Sequence, residues 1–383
     1  MTRARLLLYA PNGYGLGHLS RQVALARALR RAEPAVELLF VTESTYGPQL
    51  APEFPYLSIP ASRYTQSGSW TGPGARRRAA ALAAMTDALV AAYRPGAVLH
   101  DTLTWPPLFD AASRAGVRQA MVIRRRKQLA EHLADPAQPP LRCNLWILPY
   151  GRDDAADILA LLPVGAPPVV CVGPVARQAG ASVATTRARM GVPDGVRLVL
   201  VTAGAGGFPD AEAFYARALT GLAAVASQIG SHLAAVVLGP AYSGAVPVVP
   251  GVNAYIWRDV SFMTDLLVAA DLVICQGGHN TVAELQAAGV PGVIVPAARN
   301  IDDQWERARE AAAGSELLAA VADPETDLGP LIAAAMTREA IRPPPVDPPL
   351  DFAELRRVVE LGRVDGIGDE SGLPRMSDVN HHR

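Results

Sequence analysis

The stretch that most constrains this chain runs from Asp271 to Ala308, DLVICQGGHNTVAELQAAGVPGVIVPAARNIDDQWERA. An apolar run from Leu272 to Cys275 ends in a Gly277-Gly278 turn, and Asn280 through Ala288 has helix character with neither Gly nor Pro. The pattern is strand, glycine turn, helix. Backbone N–H groups at such a helix start point past the strand end, and the helix dipole favours an anion there. Glu284 falls one turn after Asn280, placed to grip the hydroxyls of a sugar beside a bound phosphate. A second unit follows: Val293 to Val295 reads as a buried strand, Pro296 stops it, and Asp302-Asp303-Gln304 opens another helix. Two adjacent strand ends then aim phosphate donors and hydroxyl acceptors into one crevice, where open α/β sheets bind ligands. A nucleotide-sugar suits that chemistry.

The spacing Gly278-x-x-Thr281-x-x-Glu284, then Ala287-Ala-Gly-x-Pro291, then Asp303-Gln304 before Trp305, resembles a known motif. It is similar to the donor site of GT-B glycosyltransferases of families 28 and 1, above all the branch that adds N-acetylglucosamine to a lipid-linked peptidoglycan precursor. The resemblance implies that Gly278 and Thr281 hold the diphosphate, Glu284 the ribose, and Asp303 with Gln304 the donor sugar, with His279 and Asn280 also in the donor site. It also implies that the backbone at Val260 reads the edge of uracil or thymine. One departure stands out: many relatives that glycosylate small molecules have a His where this chain has Gln276, so a phosphate contact is lost or made otherwise.

At 383 residues the chain has room for two domains, each with its own core. Thirty-five basic against 36 acidic side chains leave it near neutral, which argues against a nucleic-acid partner. Cys143, Cys171 and Cys275 lack metal-ligand spacing, so a reducing, cytoplasmic setting is expected, with no metal or resident cofactor. The opening residues have too short an apolar core for a signal peptide and read as the first strand.

Leu6 to Ala10 is that strand, and Gly13, Gly15 and Gly17 form a loop before a helix from Leu19 to Arg31. A dinucleotide fingerprint needs glycine where this loop has His18. Glu43, at the end of the strand Val36 to Thr42, is therefore expected to be an ordinary exposed carboxylate. A lone His is most often a cap or a solvent-facing side chain. The resemblance, however, places the catalytic base at His18, with Gly15 and Gly17 giving the ligand room. It also implies that Asp101, ending the strand from Ala97, orients the imidazole. His100 is the rival, but strand alternation turns it to the other face. The irregular segment Ala61 to Arg78 is a candidate acceptor lid, with Trp70 and Trp105 as candidate acceptor contacts. The run Arg124 to Lys127 is either a solvated face or a contact for an anionic acceptor or, peripherally, a membrane surface.

The expected fold is α/β, two doubly wound Rossmann-like domains (GT-B) with an inter-domain cleft. Residues 1–174 form the acceptor domain, 175–195 the linker, 196–345 the nucleotide-sugar domain, 346–363 a helix returning to the first domain, and 364–383 a mobile tail. A second glycine loop, Thr202 to Gly207, offers Gly206 and Gly207 to the diphosphate from the opposite side. The leading reading is an inverting transferase from a UDP- or dTDP-sugar to a small-molecule hydroxyl. The alternatives are a nucleotide-sugar hydrolase in which the same His activates water, and a non-catalytic nucleotide-sugar binder.

Overall fold

A computed structural model describes residues 3–11, 16–59, 74–258, 261–342 and 350–363. Gly15, Trp70, Val260, the expected lid up to residue 73 and the expected tail lie outside them. Two sheets carry the architecture. The first has seven strands: β1 Arg5–Ala10, β2 Glu37–Thr42, β3 Tyr56–Ser58, β4 Ala97–Asp101, β5 Arg118–Val122, β6 Leu145–Leu148 and β7 Val169–Cys171. The second has six: β8 Arg197–Thr202, β9 His232–Val237, β10 Ala254–Trp257, β11 Leu272–Gln276, β12 Gly292–Val295 and β13 Leu318–Ala320. Every neighbouring pair is parallel. Helices cover both faces of a parallel sheet, so its central strands read as unbroken apolar runs. Leu6, Leu7, Leu8, Tyr9 and Ala10 of β1 are all buried.

Strand order positions the site. The first sheet runs β3-β2-β1-β4-β5-β6-β7 and the second β10-β9-β8-β11-β12-β13. Winding reverses between β1 and β4 in one and between β8 and β11 in the other. Those reversals leave crevices at the carboxyl ends of the strands. His18 begins the helix after β1, Asp101 ends β4, and Gly206 and Gly278 lie in the turns after β8 and β11.

The helix Phe352–Leu361 follows the second sheet in sequence but packs on the first. Its N-cap Asp351 accepts from the N–H groups of Ala353 and Glu354 at 3.0 Å each. Leu355, Val358 and Val359 enter the core that holds Leu6, Leu25 and Leu29. Burial of side chains this size stabilises by roughly 1.5–3 kcal/mol each. The N–H of Arg5 donates to the Gly362 carbonyl at 3.0 Å, closing the junction.

Three expectations need correction. Glu43 is not exposed: it is 5% accessible, and the Tyr9 hydroxyl donates to it at 2.7 Å. The stretch expected to be a linker contains the helix Val183–Arg189, capped by Ser182. Val183 and Met190 pack with Phe262, Met263 and Leu266 of the second lobe, so that helix belongs to its core. The run from Arg124 is not a free solvated face, because Arg124 pairs with Asp302 at 2.7 Å and the Lys127 N–H donates to the Ile301 carbonyl at 2.9 Å. It stitches one lobe to the other. Two short edge strands, β3 and β13, went unread because three residues carry too little periodicity.

Candidate active site

The first half of the site is a buried charge pair with an imidazole in front of it. His18 is the second residue of the helix Gly17–Ala32, which starts where β1 releases the chain. Gln22, on the same helix, donates to the carbonyls of Tyr9 and Leu99 at 3.3 and 3.2 Å, fastening the helix across β1 and β4. His18 Nδ1 lies 3.3 Å from Asp101 Oδ2 and 3.4 Å from Thr102 Oγ1. Asp101 has no exposed surface. Burial alone would raise its pKa, but the adjoining Arg21 and His18 hold it below the usual carboxylate value. Arg21 binds it with two N–H groups, Nε and Nη2, at 2.9 and 3.0 Å.

Backbone strain marks the same spot. Thr102 has φ +61°, a left-handed conformation costly for a β-branched residue, and the Leu103 N–H folds back to the Asp101 carbonyl at 2.7 Å. The tight turn points Leu103 outward. His100, next to Asp101, is turned away into the core, where Nε2 meets Gln119 Oε1 at 2.9 Å. Burial drives its pKa down to about 4, so it is a neutral core side chain.

The second half is made largely of main chain. Gly278 is the N-cap of the helix His279–Ala288, and no side chain caps that start. First-turn amides are thus left for a ligand. Gly204 and Gly206, at φ +65° and +70°, approach from the loop after β8. A Cβ at Gly206 would sit 2.6 Å from the Tyr242 side chain, so only glycine fits.

Between the halves lies a cavity of about 230 Å³. Of the residues expected at the site, Gly17, His18, Gly206, Gly278, His279, Asn280, Thr281, Glu284 and Gln304 line it. Gln304 Oε1 accepts from the Ala297 N–H at 3.0 Å, which leaves its amide nitrogen for a ligand. Others are placed differently. Gly207 does not line the cavity. Asp303 caps its own helix by accepting from the Glu306 N–H at 3.1 Å, and its neighbour Asp302 faces the cavity instead. Trp105 is 4% exposed and packs with Leu7, Tyr9 and Leu108, so it is a core residue and not an acceptor contact.

Sequence reasoning missed three guanidinium groups. Arg21, Arg177 and Arg299 line the cavity together with Arg124 of the basic run, against the carboxylates of Glu284 and Asp302. That balance favours an anionic ligand. Arg21 also donates to Asn280 Oδ1 at 3.0 Å, and Asn280 returns a hydrogen bond to the Gly17 carbonyl, so the two lobes meet through the site itself. Arg177 occupies Glu284, donating from Nε to Oε1 at 2.9 Å. Arg299 lies 3.9 Å above the Phe208 ring, pairs with Asp210 and donates to Gln276 Oε1 at 3.3 Å. It brings a positive charge beside Gln276. His279 is half-buried, and burial followed by the charges of Arg21, Arg307 and Arg124 holds its pKa well below the usual imidazole value. Its Nε2 lies 3.0 Å from the Tyr150 hydroxyl. Asp302 is held well below the carboxylate range because Arg307 and Arg124 outweigh the effect of burial. Arg21 was within reach, since it stands three residues after His18 on one helix face. Arg177 and Arg299 sit in irregular chain, with no pattern to expose them. Among the described residues no helix is long and apolar enough to cross a membrane.

Comparison with known proteins fits this geometry. The fold is shared with a UDP-glucosyltransferase from Polygonum tinctorium, at a TM-score of 0.59 and 14% identity over 94% of this chain and 92% of the other. It is shared also with MurG of Acinetobacter baumannii, at a TM-score of 0.53 and 17% identity over 94% and 99% of the two chains. Residues 247–329 match the glycosyltransferase family 28 C-terminal domain. The chain is 27% identical over 324 residues to a UDP-N-acetylglucosamine--N-acetylmuramyl-(pentapeptide) pyrophosphoryl-undecaprenol N-acetylglucosamine transferase of Nocardia farcinica, covering 79% of this chain and 80% of that one. The enzyme with the same description in Tolumonas auensis is 36% identical over 111 residues, 28% of each chain. The protein is a glycosyltransferase of the GT-B class that takes a nucleotide-sugar donor. Within that class it is related to the peptidoglycan N-acetylglucosaminyltransferases.

Proposed function

We propose that this chain is an inverting glycosyltransferase that moves a hexose from a UDP- or dTDP-sugar to a hydroxyl of a small-molecule acceptor, with His18 as general base. The observation that carries the reading is the buried Asp101 behind His18 Nδ1, at 3.3 Å, facing an uncapped helix start on the opposite lobe. With Nδ1 turned to the carboxylate, Nε2 is the nitrogen that takes the proton. The acceptor oxygen forms a bond to the anomeric carbon while the bond from that carbon to the diphosphate oxygen breaks. The electron pair leaves with the nucleotide and the proton goes to His18. Base and leaving group sit on facing lobes, so attack comes from the side opposite departure and configuration inverts.

Gly278, Asn280 and Thr281 supply N–H and hydroxyl donors to the diphosphate, and Arg299 supplies charge. No step in this reading is routed through a metal. Glu284 grips the ribose once Arg177 has let go of it. UDP is the first nucleotide to try, because the relatives' own names carry it.

The test is nucleotide release from UDP- and dTDP-sugars with and without a panel of acceptors. Acceptor-dependent release with an inverted anomeric product is the expected result. Fast release without acceptor supports the hydrolase, and retained anomeric configuration overturns the inverting mechanism.

A further inference from the structure

A smaller cavity, of about 170 Å³, adjoins His18 on the side away from the glycine loops. It shares His18 and Arg124 with the larger one, so whatever occupies it lies next to the imidazole. Its mouth is apolar. Leu103 from the first lobe and Ile301 from the second are 48% and 52% exposed, large aliphatic side chains left to water at one opening. Leu103 is held there by the strained turn at Thr102, so its exposure is built into the backbone. An exposed apolar pair beside a reacting group is a place for a ligand's hydrocarbon.

The charge inside has one sign. Arg124, Arg126 and His132 line this cavity and no carboxylate does. Arg124 is satisfied by Asp302 at 2.7 Å. Arg126 is not: its Nε donates only to the neighbouring Lys127 carbonyl, at a long 3.4 Å, and it has no carboxylate partner among the described residues. Burial and then the charge of Arg124 push its pKa down, so the protein itself disfavours the charge it places there. Burial and then the charge of Arg126 also lower the pKa of His132. A half-buried guanidinium repelled by its neighbours is relieved when an anion arrives.

We propose that the acceptor is an anionic hydroxylated molecule with a compact apolar body. Its carboxylate or phosphate meets Arg126, its body lies between Leu103 and Ile301, and its hydroxyl points to His18. The assignment rests on His18 being the base. It differs from the general reading by naming the acceptor's charge and the residue that selects it.

The experiment is calorimetric or NMR titration of the UDP-loaded protein with matched probes: para-hydroxybenzoate, para-hydroxyphenyl phosphate and the neutral para-hydroxybenzamide. One charged probe is expected to bind about tenfold or more tightly than the amide, the usual size of a charge-assisted hydrogen bond. Which of the two wins identifies the anion. Arg126→Gln is expected to erase the preference and Arg126→Lys to keep part of it, with UDP affinity unchanged in both. Ile301→Asp, at the mouth, is expected to weaken the charged probes most. Equal binding of acid, phosphate and amide, binding of none, or a preference that survives Arg126→Gln each overturns the proposal. If His18→Ala still abolishes transfer to neutral alcohols, the catalytic reading survives that result. If UDP and dTDP themselves fail to bind, both readings fall together.

Discussion

The two halves of the site are built by different means. In the second lobe the cavity wall includes bare backbone: the helix start at Gly278 and the left-handed Gly204 and Gly206. In the first lobe it is lined by side chains gathered from a distance, with Arg21 and Asp101 joined across 80 residues of sequence. Backbone recognition suits the invariant part of a donor, a diphosphate. Side-chain recognition can be rewritten without disturbing the fold, which suits the half that chooses and activates an acceptor. The lesson is that tolerance to substitution should differ sharply between the lobes.

The largest effect is expected at His18. His18→Ala should lower kcat by about 10²–10⁴-fold, the range for loss of a general base, while calorimetry shows nucleotide affinity unchanged. Near-wild-type turnover would remove the first lobe from the chemistry. Next comes acidification, which should strike the first lobe harder. His100 has a folded pKa of about 4 against about 6.5 when unfolded, so the unfolded chain takes up a proton first as pH drops. Stability is then full above the unfolded pKa and falls across that window, by roughly 3 kcal/mol at its acid end. Urea titrations from neutral pH to pH ~4 should show this slope, and His100→Gln should flatten it. Comparing fluorescence of the first-lobe Trp146 with the second-lobe Trp257 would show which lobe gives way.

Gly206→Ala tests the backbone half. With φ at +70° and Tyr242 in the way, it should cost about 1–3 kcal/mol and weaken UDP binding, read by thermal shift with and without nucleotide. An unchanged UDP affinity would show that the loop after β8 does not touch the diphosphate. The smallest effect is expected at Arg177. Arg177→Met frees the nearly buried Glu284 from its ion pair and should change the apparent donor Kd by only a few-fold, because the carboxylate that loses the guanidinium becomes available to ribose hydroxyls. A much larger loss would make Arg177 itself a donor contact.

The same contrast governs what was legible in the sequence. Glycine turns, apolar strands and the helix after Gly278 are local signals, so the doubly wound fold and the glycine loops that border the cavity could be read from the chain. Partnerships over long separations could not. Nothing near Arg177 announces Glu284, 107 residues away, and nothing near Arg124 announces Asp302. Trp105 misled because an aromatic residue before two prolines looks like a loop contact, whereas the chain turns it inward as the helix Pro106–Arg114 begins. Asp303 misled for a related reason: a carboxylate just before a helix is as useful for capping as for binding, and here the cap won.

The helix Phe352–Leu361 sets the order in which the molecule is completed. Leu355, Val358 and Val359 fill a space against Leu6 and Leu29, yet they leave the ribosome only after the whole second sheet. During synthesis the early lobe waits with an open apolar seam, while the later one already has every strand it needs. A chain truncated before Asp351 would keep a finished second lobe and expose that seam permanently.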